Sequence, residues 1–425
     1  YTSVEIDKKL PNGVAYEVLS ELFIPDEEKD GNLSNARLAS KEFIYELVDE
    51  AFRITGNLDE ESTSNARIQA SSWRPAGRVR VWDGRAGRWV PVVDVEVRAK
   101  RWFTVHKGTT NSLGNYSCDG TFNRQADYSI QWEKYHFSVR SGTFGQAEHS
   151  QSNITGNWNP DFGVLNTIFV NNTQQYYALI FQAARDYYYG NRFGLSSPPL
   201  NSTWHPQVKI AADISVRQNN KPSHAAMYAR TGGILPSIYV RTWEGLSDRV
   251  YAVTAHELAH AAHWDMDRDA FRNLVVTWGV QNVLGLASAS AVVESWANGV
   301  EWQFAQQRYR NLLAVPGYNY ENDVFINRLP NDNFQEQRLV ASDARPNDLV
   351  YTSIVVDMID NENQRLTRGG GNVAYPQDRV SGYTILQVEQ GLRGATSWNQ
   401  WRNNMIDRHN NPTEGFINEL FANWY

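Results

Sequence analysis

Hydrophobic residues change their spacing along this chain, and that change decides what each stretch can become. From Arg78 to Arg140 they recur at every second position: Val79 and Val81, then Val93, Val95 and Val97, then Tyr128, Ile130 and Trp132. A two-residue period puts one face of a strand in a core and the other in solvent. Turn pairs at Asp83-Gly84, Leu113-Gly114 and Asp119-Gly120 cut the stretch into short strands, which reads as a small β-sandwich over residues 72–145. Elsewhere the spacing is helical. Leu38, Phe43, Ile44, Leu47, Val48, Ala51 and Phe52 follow a helical period that stops at Gly56, so 1–71 reads as a helical lead-in. Tyr176 to Tyr189 reads as an aromatic helix ending at Gly190, Val208–Ile214 and Ile234–Val240 as strands, and most of the chain after Ser247 as helix. The expected class is multidomain α+β: a β-sandwich module followed by a mostly helical domain with a small sheet over 146–425. A chain of 425 residues has room for two or three domains at about 150 residues each. The loop Asn361 to Asp378, with Gly369-Gly370-Gly371, is long enough to serve a function.

Composition removes several classes. One cysteine, Cys118, allows neither a disulfide framework nor a cysteine-based structural zinc site. The net charge of −7 gives no global basic footprint, so nucleic acid is not an expected partner. The most apolar stretch, Asn273 to Val293, is interrupted by Gln281 and Asn282, and no transmembrane segment is expected. Fifteen Trp and 21 Tyr beside many Asn, Gln and Thr suit an exported protein. The chain starts at Tyr1 rather than Met, and the expectation is a trimmed leader with an extracellular, periplasmic or surface-anchored location.

The strand-rich stretch resembles carboxypeptidase-regulatory or transthyretin-like sandwiches. The resemblance rests on Gly77–Asp83, on Val90–Val97, and on Thr110-Asn111 to Gly114-Asn115-Tyr116, where Asn111 and Tyr116 depart from the family's turn. It implies a spacer or folding aid.

Chemistry is concentrated in Thr254–His263, which contains His256-Glu257-Leu258-Ala259-His260. On a helix His256 and His260 lie about 40° apart and about 6 Å along the axis, so both rings reach one metal from the same face. Glu257 lies about 100° round, placed to address water beside the metal without ligating it. Neutral imidazoles suit Zn²⁺, zinc lowers the pKa of a bound water, and Glu257 is expected to take its proton. Val250, Val253, Leu258 and Ala261 make an apolar face that buries the segment. His263 returns to the same face about 10 Å from His256, too far for one ion to hold both. His205 and His224 read as surface or polar-core histidines.

This motif resembles the zincin metallopeptidases. The metzincin branch requires a third His where Met266 stands, whereas Val292-Val293-Glu294-Ser295-Trp296-Ala297-Asn298 resembles the second signature of gluzincins, with Asn298 in place of the commoner Asp. The 33 residues between His260 and Glu294 exceed the gap in thermolysin-like enzymes. The resemblance implies zinc held by His256, His260 and Glu294, Glu257 as general base, and Asn298 orienting a ligand histidine. Glu301, seven residues after Glu294, is the rival third ligand, disfavoured because Ala305 stands where Asn298 supports Glu294. Tyr383 is the first candidate for oxyanion stabilisation and Tyr351 the second. The implied activity is zinc-dependent hydrolysis of a protein or peptide substrate. Contact with glycan is also open, through a glycoprotein- or mucin-directed peptidase or a non-catalytic surface-binding protein whose zinc is structural. An open metal position argues for the enzyme, and a fourth protein ligand for the binding protein.

Overall fold

A computed structural model describes residues 72–142, 145–163, 173–202, 206–212, 224–225, 238–240, 246–284, 286, 288–315, 320, 351–367 and 370–425. The helical lead-in read over 1–71 and His205 lie outside these residues. Ala70–Tyr425 forms one compact unit of mixed α and β structure with several small sheets.

Strands come first: β1 (Ala76–Arg78), β2 (Arg80–Asp83), β3 (Arg88–Pro91), β4 (Glu96–Arg101), β5 (Thr104–Thr109), β6 (Asn115–Ser117), β7 (Ala126–Gln131), β8 (Phe137–Arg140), β9 (Glu148–Ile154) and β10 (Asp161–Phe162). The alternation seen in the sequence is the burial pattern of β4, where Val97 and Ala99 are buried and Glu96 and Arg98 face outward. Opposite them, Ile130 and Tyr128 of β7 supply the partners, Val97 pairing with Ile130 and Ala99 with Tyr128. The resulting antiparallel sheet has the order β5-β4-β7-β9. A second sheet runs β10-β2-β3, and β1 pairs with β6. The strand texture of 72–145 therefore continues through β9 and β10.

Strand β8 leaves its sequence neighbours. It pairs in parallel with β11 (Val208–Ala212), which pairs with β13 (Ile238–Val240), and the sheet ends at β12 (His224–Ala225), antiparallel to β13. Parallel pairing needs a crossover, and α1 (Thr173–Tyr189) lies between β8 and β11 in the chain and packs on both. The helices follow: α2 (Ser247–Met266), α3 (Arg268–Val283), α4 (Ser288–Leu313), α5 (Ile354–Ile359), α6 (Gln364–Thr367), α7 (Ile385–Leu392), α8 (Trp398–Arg408) and α9 (Ile417–Ala422). An apolar core runs through the unit, from Val97 and Ile130 in the strands and Trp132 just after β7 to Phe181, Leu258, Trp296 and Trp401 in the helices.

A buried carboxylate fastens strands to helices. Asp83, at the end of β2, is fully buried and accepts from Ser247 Oγ at 3.0 Å, Arg308 Nη2 at 3.1 Å and the Tyr309 hydroxyl at 3.2 Å. Ser247 opens α2 and Arg308 lies in α4, so one side chain ties β2 to both helices. Arg308 also donates to Gln182 Oε1 of α1 and lies over the Tyr251 ring at 4.4 Å. Replacing Arg308 with Ala leaves Asp83 a buried charge without its cation, which costs about 3–5 kcal/mol. Urea denaturation should show that loss, and the Asp83→Asn, Arg308→Met double variant should recover part of it.

A second buried carboxyl gives a pH signature. Asp378 is 2 % exposed, its Oδ1 accepts from the Val380 amide, and its Oδ2 has no hydrogen-bond partner among the described residues. Burial, reinforced by the negative charge of Asp357, holds Asp378 well above the usual carboxylate range. A raised carboxyl binds more protons folded than unfolded, so its stabilising contribution is present at low pH and is lost as pH rises. Asp378→Asn should therefore raise the melting temperature more at pH 8 than at pH 5, measured by thermal denaturation at both.

Candidate metal centre

Helix α2 carries the motif through the interior. Ala252, Ala255, Ala259, Ala261 and Ala262 are strong helix formers, and their small side chains let neighbouring helices come close. The helix packs on β12 and β13 on one side and on α1 and α4 on others. Helix α4 is buried from Ala289 to Val300 and brings Glu294 to the histidines.

Three donor atoms converge between α2 and α4. His256 Nε2 lies 3.1 Å from His260 Nε2 and 3.2 Å from Glu294 Oε2, and His260 Nε2 lies 3.4 Å from the same oxygen. Tetrahedral Zn²⁺ with ligands at about 2.0–2.1 Å spaces them about 3.3–3.4 Å apart, so this triangle has the dimensions such an ion requires. His256, His260 and Glu294 thus form a buried group able to hold a metal ion. They expose 7, 8 and 8 % of their surface, enough to meet solvent from one side, whereas Glu301 at 2 % and His263 at 1 % are sealed.

The structure separates the two rival glutamates. Glu294 faces Nε2 of His256, while Glu301 Oε2 lies 3.2 Å from Nδ1 of the same ring. This is an ion-pair distance reached off the line of an ideal N–H bond, which leaves His256 Nδ1 without a regular hydrogen bond. A carboxylate there favours the Nδ1–H tautomer and leaves the Nε2 lone pair for a metal. Asn298 is buried on α4, and among the described residues no hydrogen bond joins its side chain to either histidine.

Charges follow from this packing. Burial alone lowers the affinity of His256 for a proton, but Glu294 and Glu301 outweigh it and raise its pKa well above the usual value. Burial likewise pushes Glu294 up, and His260 with His256 overcomes it, holding Glu294 below the usual carboxylate range. For Glu257 the compensation falls short. It is 3 % exposed, its Oε2 lacks a hydrogen-bond partner among the described residues, and burial, aided by Glu294 and Glu301 against the pull of His256, pushes it up to about 8.

Of the other expected residues, Tyr351 reaches the site. Its ring centroid is 6.4 Å from that of His256, and 39 % of the residue is exposed. Ser295, next to Glu294, accepts from the Thr352 amide at 3.0 Å and bonds the Thr352 hydroxyl at 2.8 Å, so the residue after Tyr351 is pinned to the residue after Glu294. Gly299 of α4 permits the approach: a Cβ there would lie 2.2 Å from Val355 Cγ1 of α5. Tyr383 is elsewhere, 2 % exposed with its ring 6.2 Å from His409. His263 packs edge-on to Phe271 at 4.9 Å, and burial pushes its pKa down to about 3, which keeps it neutral. His224 lies in β12, opposite Tyr239. Sequence spacing placed Glu301 on the correct face without revealing which ring nitrogen it meets, and the Ser295–Thr352 clasp has no local signal.

Compared with protein-family models and with curated proteins, the chain matches none. The functional reading rests on the geometry above.

A competitive zinc titration should rank the variants. Glu294→Ala should abolish tight binding, Glu301→Ala should weaken it by about 10–100-fold through loss of the ring's support, and Asn298→Ala should change it least.

Proposed function

We propose that the chain is an exported, single-zinc peptidase of the gluzincin type, in which a transthyretin-like β-sandwich precedes a zincin-like catalytic domain. The observation that carries this reading is the triangle of His256 Nε2, His260 Nε2 and Glu294 Oε2, with edges of 3.1–3.4 Å, beside the buried Glu257 carboxyl, whose Oε2 has no hydrogen-bond partner among the described residues. Two imidazoles and one carboxylate are a zinc donor set that leaves the fourth position for water or substrate. When bound there, Zn²⁺ supplies Lewis acidity to a carbonyl and to water.

The protein groups divide the remaining work. Glu257 takes a proton from the attacking water as its oxygen bonds to the peptide carbonyl carbon. The same carboxyl returns that proton to the amine nitrogen as the C–N bond breaks. Burial raises the affinity of Glu257 for a proton, which favours its holding the proton it takes from water. The Tyr351 hydroxyl is assigned to the oxyanion that develops on the former carbonyl, a role better supported for Tyr351 than for buried Tyr383. Glu301 holds the His256 ring. Strand β12, at the edge of its sheet and packed on α2, offers main-chain groups to an extended protein or peptide substrate.

Digestion of a peptide library followed by mass spectrometry tests the proposal. Glu257→Gln should lower kcat by about 10²–10⁴-fold while zinc stays bound, and Tyr351→Phe should lower it by about 10²–10³-fold with little change in KM. Full hydrolysis by Glu257→Gln would remove the general base from the mechanism.

A further inference from the structure

Away from the metal centre, the outward face of the β5-β4-β7-β9 sheet meets the β7–β8 hairpin over a cavity of about 350 Å³. From this cavity we infer a binding site for a neutral saccharide, with Tyr135 as the stacking platform at its rim.

The floor is a row across the sheet. Glu96 of β4 stands opposite Gln131 of β7, and Gln131 Nε2 donates to Glu148 Oε1 of β9 at 2.8 Å. That bond fixes the amide plane and leaves the Gln131 carbonyl oxygen as an acceptor. The wall is equally fixed. Lys134 and Phe137 exchange backbone hydrogen bonds around Tyr135 and His136, which makes a two-residue hairpin. Asn201 Nδ2 donates to the Tyr135 carbonyl at 2.8 Å, and Gln207 Nε2 to the Lys134 carbonyl at 2.8 Å. Gln207 Nε2 also donates to the Phe137 carbonyl at 3.2 Å, and the oxygens of both amides are left as acceptors. The pocket is built before any ligand arrives, and such preorganisation lowers the entropy cost of binding.

Its chemistry selects the ligand. The lining is polar, with Glu96 and Glu133 balanced by Arg98 and Lys134, which disfavours an apolar cofactor or lipid chain. An anion is poorly served as well. Arg98 Nε is paired with Glu96, and Lys134 donates to the Asp94 carbonyl while lying over the Tyr189 ring, so each cation already has a partner in the wall. What the pocket offers is the carboxylates of Glu96 and Glu133 and the amide oxygens of Gln131, Asn201 and Gln207, all suited to hydroxyl donors, next to a tyrosine that is 67 % exposed. A pyranose presents both halves of that requirement, hydroxyls at its edge and C–H groups on its face. The volume lies at the lower end of the range for small-ligand sites and holds about one or two sugar rings.

Titration calorimetry of the full chain with galactose, mannose, N-acetylglucosamine and lactose, and with N-acetylneuraminic acid as the anionic arm, tests the site. At least one neutral sugar should bind. Tyr135→Ala should weaken that binding about tenfold and Tyr135→Phe should retain it; Glu133→Gln should also weaken it, and zinc content should be the same in all variants. Absence of binding by every neutral sugar overturns the assignment, as does binding that survives Tyr135→Ala at full strength or prefers N-acetylneuraminic acid. None of these readouts depends on peptidase activity, so the site and the proposed reaction stand or fall separately.

Discussion

The buried carboxylate of Asp83 is the interaction on which the arrangement of the unit turns. It is fully buried, and besides the Arg85 and Ala86 amides of its own turn its donors come from the first residue of α2 and from two consecutive residues of α4. Those are the helices that supply His256, His260 and Glu294. A buried ion pair of this kind adds little net stability, because desolvation offsets most of the attraction, but breaking it on one side is costly. Its effect is therefore geometric: it penalises any sliding of α2 against α4 that would pull Arg308 from Asp83. Convergence of three donor atoms from two helices within 3.4 Å needs that restraint.

Charge balance around His256 accounts for the next level of order. Its ring lies between two buried carboxylates, Glu294 at Nε2 and Glu301 at Nδ1. Both raise the ring's affinity for positive charge, and a divalent cation held at Nε2 would meet that demand as a proton does. Burial, more than the two carboxylates, raises Glu257's affinity for a proton, so a proton-transferring candidate stands beside the donor set in the same buried site. The proposed peptidase reaction uses both.

Much of this was legible in the sequence, and the remainder was not for identifiable reasons. Periodicity gave α1 and the strand texture, because burial on one face imposes a local repeat. The spacing of His256 and His260 gave their convergence, because helix geometry is fixed. Spacing also put Glu294 and Glu301 on one face, yet seven residues are about 10 Å of helix, and only the α2–α4 packing decides which glutamate meets which nitrogen. The pairing of β8 with β11, the pairing of Asp83 with Arg308 and the position of Tyr351 rather than Tyr383 beside His256 are contacts between distant parts of the chain. No window of local sequence encodes them.

The most direct measurement is anomalous X-ray diffraction from crystals of the full chain, collected on both sides of the zinc absorption edge. A catalytic zinc is expected as a single anomalous peak bonded to His256 Nε2, His260 Nε2 and Glu294, with no fourth protein ligand and an open side toward solvent. A peak closed by a fourth protein side chain, or no peak between α2 and α4, would contradict it.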